Sequence, residues 1–512
     1  MRWRKTKAGE PPAAPRSTRS RMLIAALAGA SGVFAFAPYG WWPLQILALA
    51  VLAYQSLRAD GVRAAALVGW AFGFGWCLAG FHWLYITLNS FFYLPALLAG
   101  PAIALLAAGM ALYAAAAMGA TAWLRKRWPL PLPAATLLVL PAFWALFELL
   151  RGWLFTGFPW VTAGYAHNTS PLAGYAPVLG VYGISWLAAI TAGALPLLMH
   201  PFRYKAIALV AAIWIGGFAL GRVEWTAPAG QPLTVRLVQG NVALKSKFSV
   251  EHIGNTLRMY HQVVTDTPAD LIAIPETGVP LFQSQLPPGY LDSFGQFARR
   301  TGSHIVLGMP MTNGAEYTNS VLGLAPTLAA STYRYDKHHL VPFGEFIPTG
   351  FRWFTNLMQI PLGDQTRGAA IQAPFAVKDQ KVLPNICYEN VFGEEIAEQV
   401  SLTGATIMLN VSELGWYSDS IAIPQHLQMS QMRALEMGRP MLSATNTGAT
   451  VVISPRGEVT HALPYRQPGV LSATVQGMSG DTPYIRLQNK LFLALAALSI
   501  AAAWLWSRMP RK

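Results

Sequence analysis

Apolar runs long enough to cross a lipid bilayer recur through the first 221 residues, and they constrain the fold there more than any other feature. Crossing a hydrocarbon core about 30 Å thick takes about 20 apolar residues as a helix. Such segments lie at residues 22–37, 41–57, 64–88, 94–124, 134–150, 177–199 and 204–221, with an eighth at 491–507. Composition agrees: hydrophobic residues make up 53% of the chain and charged residues 12%, against about 25% charged in soluble proteins. These figures exclude a disordered chain.

Charge sets the orientation. The formal net charge is +14, from 37 Lys and Arg against 23 Asp and Glu. Residues 222–490 hold 19 basic and 20 acidic residues and the remainder 18 and 3, so the whole excess flanks the apolar segments. A nucleic-acid partner would need a basic face on a folded domain, and none is visible, so no nucleic acid is expected. Cytoplasmic loops are enriched in Lys and Arg. With the N-terminus inside, the inside segments carry Arg2, Arg4, Lys5, Lys7, Arg16, Arg19 and Arg21, then Arg58 and Arg63. They continue with Arg125, Lys126 and Arg127, then Arg203 and Lys205, and lastly Arg508, Arg511 and Lys512, whereas the short outside connections carry only Arg151. Seven spans then put residues 222–490 outside, and the eighth returns the C-terminus to the cytoplasm.

The expected organisation is a basic cytoplasmic arm over 1–21, a seven-helix membrane domain over 22–221, an outside domain over 222–490, and a last membrane helix and tail over 491–512. Glu148 and Arg151, three apart near the end of the fifth span, read as paired charges at the interface, with a substrate path as the lesser alternative. His82 beside Trp83 reads as an interfacial anchor.

From Thr234 the pattern changes to short β-rich runs: TVRLVQ (234–239), DLIAIP (270–275), HIVLGMP (304–310), KVLPNIC (381–387), ATIMLNV (405–411), PMLSAT (440–445) and TVVIS (450–454). Helix-like stretches lie near 250–265, 290–301, 393–403 and 425–438. Apolar strands alternating with helices predict an α/β domain whose sheets are buried on both faces.

Two cysteines are present. Cys77 falls inside the third span and Cys387 at the end of a predicted strand, so a disulfide between them would join a span interior to a globular domain. Cys387 is thus an unpaired thiol in an oxidising compartment, either a small buried hydrophobe or a thiol with a task. Glu276 closes the run LIAIPE and Lys337 follows YRYD. Each alone reads as a solvated loop residue. Together with Cys387 they supply a nucleophile, a base for its proton and a cation for a developing oxyanion. No HExxH or CxxC set occurs, and no metal or cofactor is expected.

Glu276 in IPETGVP, Lys337 in YDKHHLVPFGEFIP and Cys387 in NICYENVF resemble the Glu-Lys-Cys triad of the nitrilase, or carbon–nitrogen hydrolase, superfamily. RGWLFTGFPW (151–160), LVQGN (237–241), HLVPFGEFIP (339–348) and QMRALEMGRP (431–440) are similar to its membrane branch, the apolipoprotein N-acyltransferases. The resemblance runs over nearly the whole chain. It implies a nitrilase-like αββα sandwich beside a membrane domain of about eight helices, and a ping-pong reaction. Cys387 would take an acyl chain from a phospholipid as a thioester, and the amino group of a diacylglyceryl-cysteine on an apolipoprotein would then receive it. Glu276 would be base and then acid, and Lys337 and the Tyr388 N–H would bind the oxyanion. Glu345 would orient Lys337 or relay protons. Glu389 matches another acid of the family, or reads as a helix-start carboxylate. With the topology, the resemblance implies an inner-membrane enzyme with a periplasmic catalytic domain; the chain is read as a monomer. Two positions depart from the family pattern: Phe248 stands where a Trp is common, and Ser412-Glu413-Leu414-Gly415-Trp416 replaces an Asn-Asp before the loop Trp.

The runner-up is a membrane-tethered nitrilase-type amidase, with water as second nucleophile. A transporter would want more intramembrane charge and paired broken helices. The aromatic stretch 343–363 reads as core or as an apolar lid dipping into the outer leaflet, with Trp416 and Tyr417 on the facing wall. If it is a lid, a polar substitution at Phe351 or Phe354 impairs turnover of a lipid substrate but spares the reaction of Cys387 with a soluble electrophile. Equal loss of both rates, measured side by side, would make these residues core.

Overall fold

The computed structural model describes residues 17–314, 316–327, 333–350, 352 and 365–509. Among the described residues, seven helices of 14 residues or more come first: α1 (Thr18–Ser31), α2 (Trp42–Leu57), α3 (Val62–Phe81), α4 (Ala96–Arg127), α5 (Leu140–Trp153), α6 (Ala176–Ala194) and α7 (Arg203–Leu220). An eighth apolar helix, Lys490–Arg508, closes the chain and packs back among α5 and α6. All eight expected segments are helical. Among the described residues, however, six stretches rather than eight are long and apolar enough to cross a membrane singly. The two short ones have local causes. α1 stops after 14 residues at Gly32 and tightens into a 3-10 turn, and α2 is limited to 16 residues by its entry at Trp42-Pro43 and its end at Arg58. The expected third span, 64–88, also breaks: α3 ends at Phe81, and a turn of π-helix covers Thr87–Phe91.

Small residues let these helices approach closely, the packing mode available where lipid removes the hydrophobic drive. At the α1–α3 crossing a Cβ added to Gly29 would lie 2.1 Å from the Phe72 carbonyl oxygen, and one on Gly75 2.1 Å from that of Ala26. Glu148 and Arg151 do not pair at an interface; both are buried and hold the loop after α5. The Arg151 guanidinium donates to the carbonyl oxygens of Phe158 (3.1 Å) and Trp160 (2.7 Å) and to Thr162 Oγ1 (3.2 Å). Glu148 Oε1 accepts from the Ala163 N–H at 2.9 Å. A loop with this many inward carbonyls needs an internal donor, because lipid offers none.

The remainder is α/β. Its helices are α8 (Val250–Asp266), α9 (Tyr290–Thr301), α10 (Gly393–Thr403) and α11 (Ala422–Met437). The strands are β1 (Leu233–Gln239), β2 (Leu271–Ala273), β3 (His304–Asn313), β4 (Glu316–Leu324), β5 (Tyr333–Asp336), β6 (Phe375–Val377), β7 (Gln380–Ile386), β8 (Ile407–Ser412), β9 (Met441–Thr445), β10 (Val451–Ile453), β11 (Val459–Ala462) and β12 (Gly469–Val475). They form two six-stranded sheets, ordered β12-β1-β2-β3-β4-β5 and β11-β10-β9-β8-β7-β6. Parallel pairs sit at the centre of each, β1-β2-β3 and β7-β8-β9, with antiparallel strands outside. Leu233, Val235, Leu237, Leu271 and Ala273 face Phe375, Val382, Ile407 and Leu409 across the sheet interface, while Val238, Ile272, Ile305 and Leu307 turn to α8 and α9. With α10 and α11 on the other side, this is the expected αββα sandwich.

β2, β5 and β7 all end at one edge of the sandwich, where Glu276, Lys337 and Cys387 follow them. Replacing Gly75 by Leu should break the α1–α3 crossing and destabilise the protein by about 1–3 kcal/mol. A thermal-unfolding series in detergent measures this, and Gly100→Leu, where a Cβ meets nothing within 4 Å, is the neutral control.

Candidate active site

Cys387 leaves β7 with a left-handed backbone, φ 52°, and opens a 3-10 turn over Cys387–Val391. Positive φ is uncommon for a residue with a Cβ and collects at functional sites; Thr277, next to Glu276, is also left-handed at φ 47°. The Cys387 thiol lies close enough to Glu276 and Lys337 for both charges to act on it. His426 Nε2 and Asn410 Nδ2 each sit 3.3 Å from the Cys387 carbonyl oxygen and fix the turn from behind.

Lys337 follows β5, its N–H tied to the Asn319 carbonyl oxygen at 2.8 Å. Its Nζ donates to Glu345 Oε1 at 2.8 Å and lies 3.4 Å from Glu276 Oε1. Asn319 on β4 joins the two carboxylates, with Nδ2 at 2.7 Å from Glu276 Oε1 and 3.1 Å from Glu345 Oε1. Glu276 Oε2 accepts the Glu413 N–H at 2.7 Å, and Glu345 Oε2 that of Val341 at 2.9 Å. Glu389 does sit in the first turn of a helix, the 3-10 turn Cys387–Val391, and it does more than cap it. It accepts the N–H groups of Ile386 (2.6 Å), His338 (2.7 Å) and His339 (3.2 Å) and the Tyr335 hydroxyl (3.0 Å), lashing the lysine loop to the cysteine turn. Of the two histidines after Lys337, His338 Nδ1 meets the Gly368 carbonyl oxygen, and His339 bridges Glu395 and the Thr156 carbonyl oxygen.

The charges of this buried cluster hold one another in their ionised forms. Burial works against the Glu276 carboxylate, but Lys337, Asn319, the Glu413 N–H and Lys247 outweigh it and hold the carboxyl below the usual glutamate range. Burial likewise opposes the Lys337 ammonium, and Glu345, Glu276 and Cys387 outweigh it, so the lysine stays charged. Burial and then the Glu276 charge push the Cys387 thiol well up, against the pull of Lys337. At rest the site holds a thiol, a carboxylate and an ammonium, so proton transfer to Glu276 must accompany attack by sulfur.

This site stands against the helical domain. Tyr388 donates its hydroxyl to the Gly157 carbonyl oxygen at 3.0 Å, and the Tyr165 hydroxyl reaches that of Val391 at 3.2 Å. The Trp160 indole N–H meets Gln425 Oε1 at 2.7 Å. Residues 28–194 match a family described as "Apolipoprotein N-acyltransferase N-terminal domain", and residues 234–484 match "Carbon-nitrogen hydrolase". A protein of Ralstonia nicotianae named Apolipoprotein N-acyltransferase is 46% identical over 487 residues, covering 94% of this chain and 92% of that one. The chain belongs to the apolipoprotein N-acyltransferase family. A relative of the same name from Nitrosomonas europaea is 42% identical over 94% of this chain and 96% of its own. Among solved structures, a CN-hydrolase superfamily protein of Xanthomonas campestris is 17% identical, covering 52% of this chain and 97% of that one, with a TM-score of 0.36.

Of the family's expected positions, Glu276, Lys337, Cys387, Glu345, Tyr388 and Glu389 come together. Trp416 and Tyr417 lie one turn away and pack on the helical domain. The Trp416 ring is 5.5 Å from that of Phe91 and 6.2 Å from Phe92, and Tyr417 is 4.7 Å from Trp83. Phe248 is exposed at the end of a one-turn helix, Leu244–Lys247. Phe351 and Phe354 lie outside the described residues. Sequence reasoning missed Asn319, Lys247 and His426; the one signal for Asn319 was an amide on an otherwise small and apolar strand stretch, TNSVLGL.

With Glu276 charged at rest, an acylation in which it takes the thiol proton slows as pH drops through its pKa. Because that pKa is depressed, the wild-type acid limb should lie below the ordinary glutamate range, near pH 4.3. Asn319→Leu removes a hydrogen bond to the charged form and should move the limb to higher pH, with a loss of about 10-fold at pH 5. A pH series of single-turnover Cys387 acylation measures both.

Proposed function

We propose that this membrane acyltransferase moves an acyl chain from a phospholipid to the N-terminal amine of a diacylglyceryl-cysteine on an apolipoprotein, through a thioester on Cys387. The observation that carries this reading is the thiol–carboxylate–ammonium cluster, closed by hydrogen bonds to a helical domain apolar enough to sit in lipid. Glu276 takes the thiol proton as sulfur bonds to the ester carbonyl carbon. The oxyanion meets Lys337 Nζ and the Tyr388 N–H, each such donor contributing about 3–4 kcal/mol. Collapse breaks the ester C–O bond, Glu276 returns its proton to the departing oxygen, and a lysophospholipid leaves. The acceptor amine then attacks the thioester and gives a proton to Glu276. The C–S bond breaks and the thiol is restored.

Glu345 orients Lys337, and Glu389 holds the lysine loop on the nucleophile's turn. The setting favours a lipid donor, since each CH₂ carried through water costs about 0.8 kcal/mol. The domain layout proposed is the expected one: arm 1–21, membrane domain 22–221, catalytic domain 222–490, and last helix and tail 491–512. The charge pattern puts both termini in the cytoplasm and the catalytic domain in the periplasm of an inner membrane. In support, the loop between α5 and α6, on the side free of basic residues but for Arg151, is the one that meets the cluster. One chain supplies every group described, which fits a monomer.

Incubating the protein with a phospholipid carrying a labelled acyl chain should load label that neutral hydroxylamine removes, in wild type and not in Cys387→Ala. A diacylated lipopeptide should then take the label as an amide. Label persisting in Cys387→Ala would remove the nucleophile, and release as free acid would point to the amidase.

A further inference from the structure

Behind Glu276, on the side away from Lys337, a second ion pair is buried. Lys247 is wholly enclosed, and its Nζ reaches only two acceptors among the described residues, Glu413 Oε2 and, at 3.0 Å, the backbone carbonyl oxygen of Glu276. Glu413 is almost as enclosed. Its Oε1 also accepts the Gly415 N–H at 3.0 Å, and Asn446 Nδ2 lies 3.2 and 3.0 Å from its two oxygens. Glu413's own N–H is the donor that holds Glu276 Oε2 at 2.7 Å. The pair therefore grips Glu276 twice, by its main-chain oxygen from Lys247 and by its carboxylate from the Glu413 backbone. Packing alone does not call for this arrangement, since apolar residues of similar volume fill a buried site at least as well as an ion pair.

We propose that Lys247 and Glu413 are positioning residues for the general base: their buried ion pair sets the Glu276 carboxylate against the Cys387 thiol and couples it to the turn carrying Trp416 and Tyr417. The coupling is structural. Glu413 caps that turn, Leu414–Tyr417, and the Trp416 carbonyl oxygen accepts the Thr87 hydroxyl at 2.9 Å, so the lipid-side segment and the base share one anchor. The inference rests on the reading that Glu276 takes the Cys387 proton. The charged and titratable groups around Glu276 are Lys337, Glu345 and Cys387 on the reacting side and Lys247 and Glu413 behind, with His426 and Tyr417 further out. Of these, Lys247 is the cation whose removal leaves the reacting side intact.

The test follows the rate at which iodoacetamide alkylates Cys387, measured by peptide mass across pH 3–9 on the full-length protein in detergent. This reaction needs the thiol and its base but no lipid donor. In Lys247→Met the acid limb should move up by about one pH unit, with the plateau rate falling at least 5-fold. Glu413→Gln keeps the N–H and removes the negative charge, so its limb should move down. In the double variant the limb should return to within a few tenths of a unit of wild type. A merely structural role would instead shift the unfolding temperature of both single variants and leave both limbs at the wild-type position, which overturns the proposal. So would limbs that move in the same direction. If Lys247→Met does not fold, Glu413→Gln decides: a downward limb supports the pair and an unmoved one overturns it. Parallel loading of wild type with labelled phospholipid separates the two readings. Opposed shifts without loading would sink the lipid donor and keep the positioning role.

Discussion

One lysine in a buried nest of carboxylates sets the terms for the rest of this structure. An isolated ammonium cannot be carried into a protein interior without losing several kcal/mol of solvation, and Lys337 is enclosed beside the apolar helical domain. It is stable there because Glu345 and Glu276 both touch it and Asn319 bridges the pair. That balance leaves Glu276 charged next to a thiol that is not. It stores the capacity for proton transfer without requiring a thiolate at rest, the form of a cysteine most open to oxidation.

The second constraint is the seam between the sandwich and the helices. Polar groups there cannot turn to lipid, so each must find a partner across the boundary. His339 stacks on Phe392 at 3.5 Å while bonding Thr156, and Gln428 on α11 takes the Ala37 N–H at 3.1 Å. Glu436 accepts the Val181 N–H of α6 at 2.8 Å and pairs with Arg433. Burial lifts the Glu436 carboxyl to about 7 against the pull of Arg433. The QMRALEMGRP stretch thus belongs to this seam rather than to the reacting cluster. Gly180, left-handed at φ 65°, lets the Tyr484 ring sit where a Cβ would lie 2.2 Å away. The two domains share an apolar core, to which Val391, Phe392, Ala422, Met429 and Met432 contribute, tied together by these hydrogen bonds, and the cluster sits on that seam.

Much of the fold was legible because apolar periodicity is local. The parallel strands β1, β2, β3, β7, β8 and β9 read directly as short apolar runs, and α8 to α11 fell within a few residues of expectation. The outer antiparallel strands β4, β5, β6, β11 and β12 were not visible. EYTNSVLGL opens on polar residues, VTHA is exposed throughout, and such edge strands owe their form to a neighbour's hydrogen bonds. Span lengths were overread for the same reason: hydropathy does not register where Gly32 or the turn at His82 ends a helix.

The sequence by itself determined that the chain is a membrane protein with an α/β domain appended, and that a Glu, a Lys and a Cys end three runs. Those properties follow from residue type and spacing alone. Tertiary structure decided that the three meet, that Asn319 joins two carboxylates, that Glu389 ties in the lysine loop as well as capping its own turn, and that Lys247 backs Glu276. The reason is physical: a buried charge is tolerable only with partners, and those partners come from strands and turns up to 166 residues apart. No local pattern records such distances; only the closing of two sheets and a helical domain around one edge creates them.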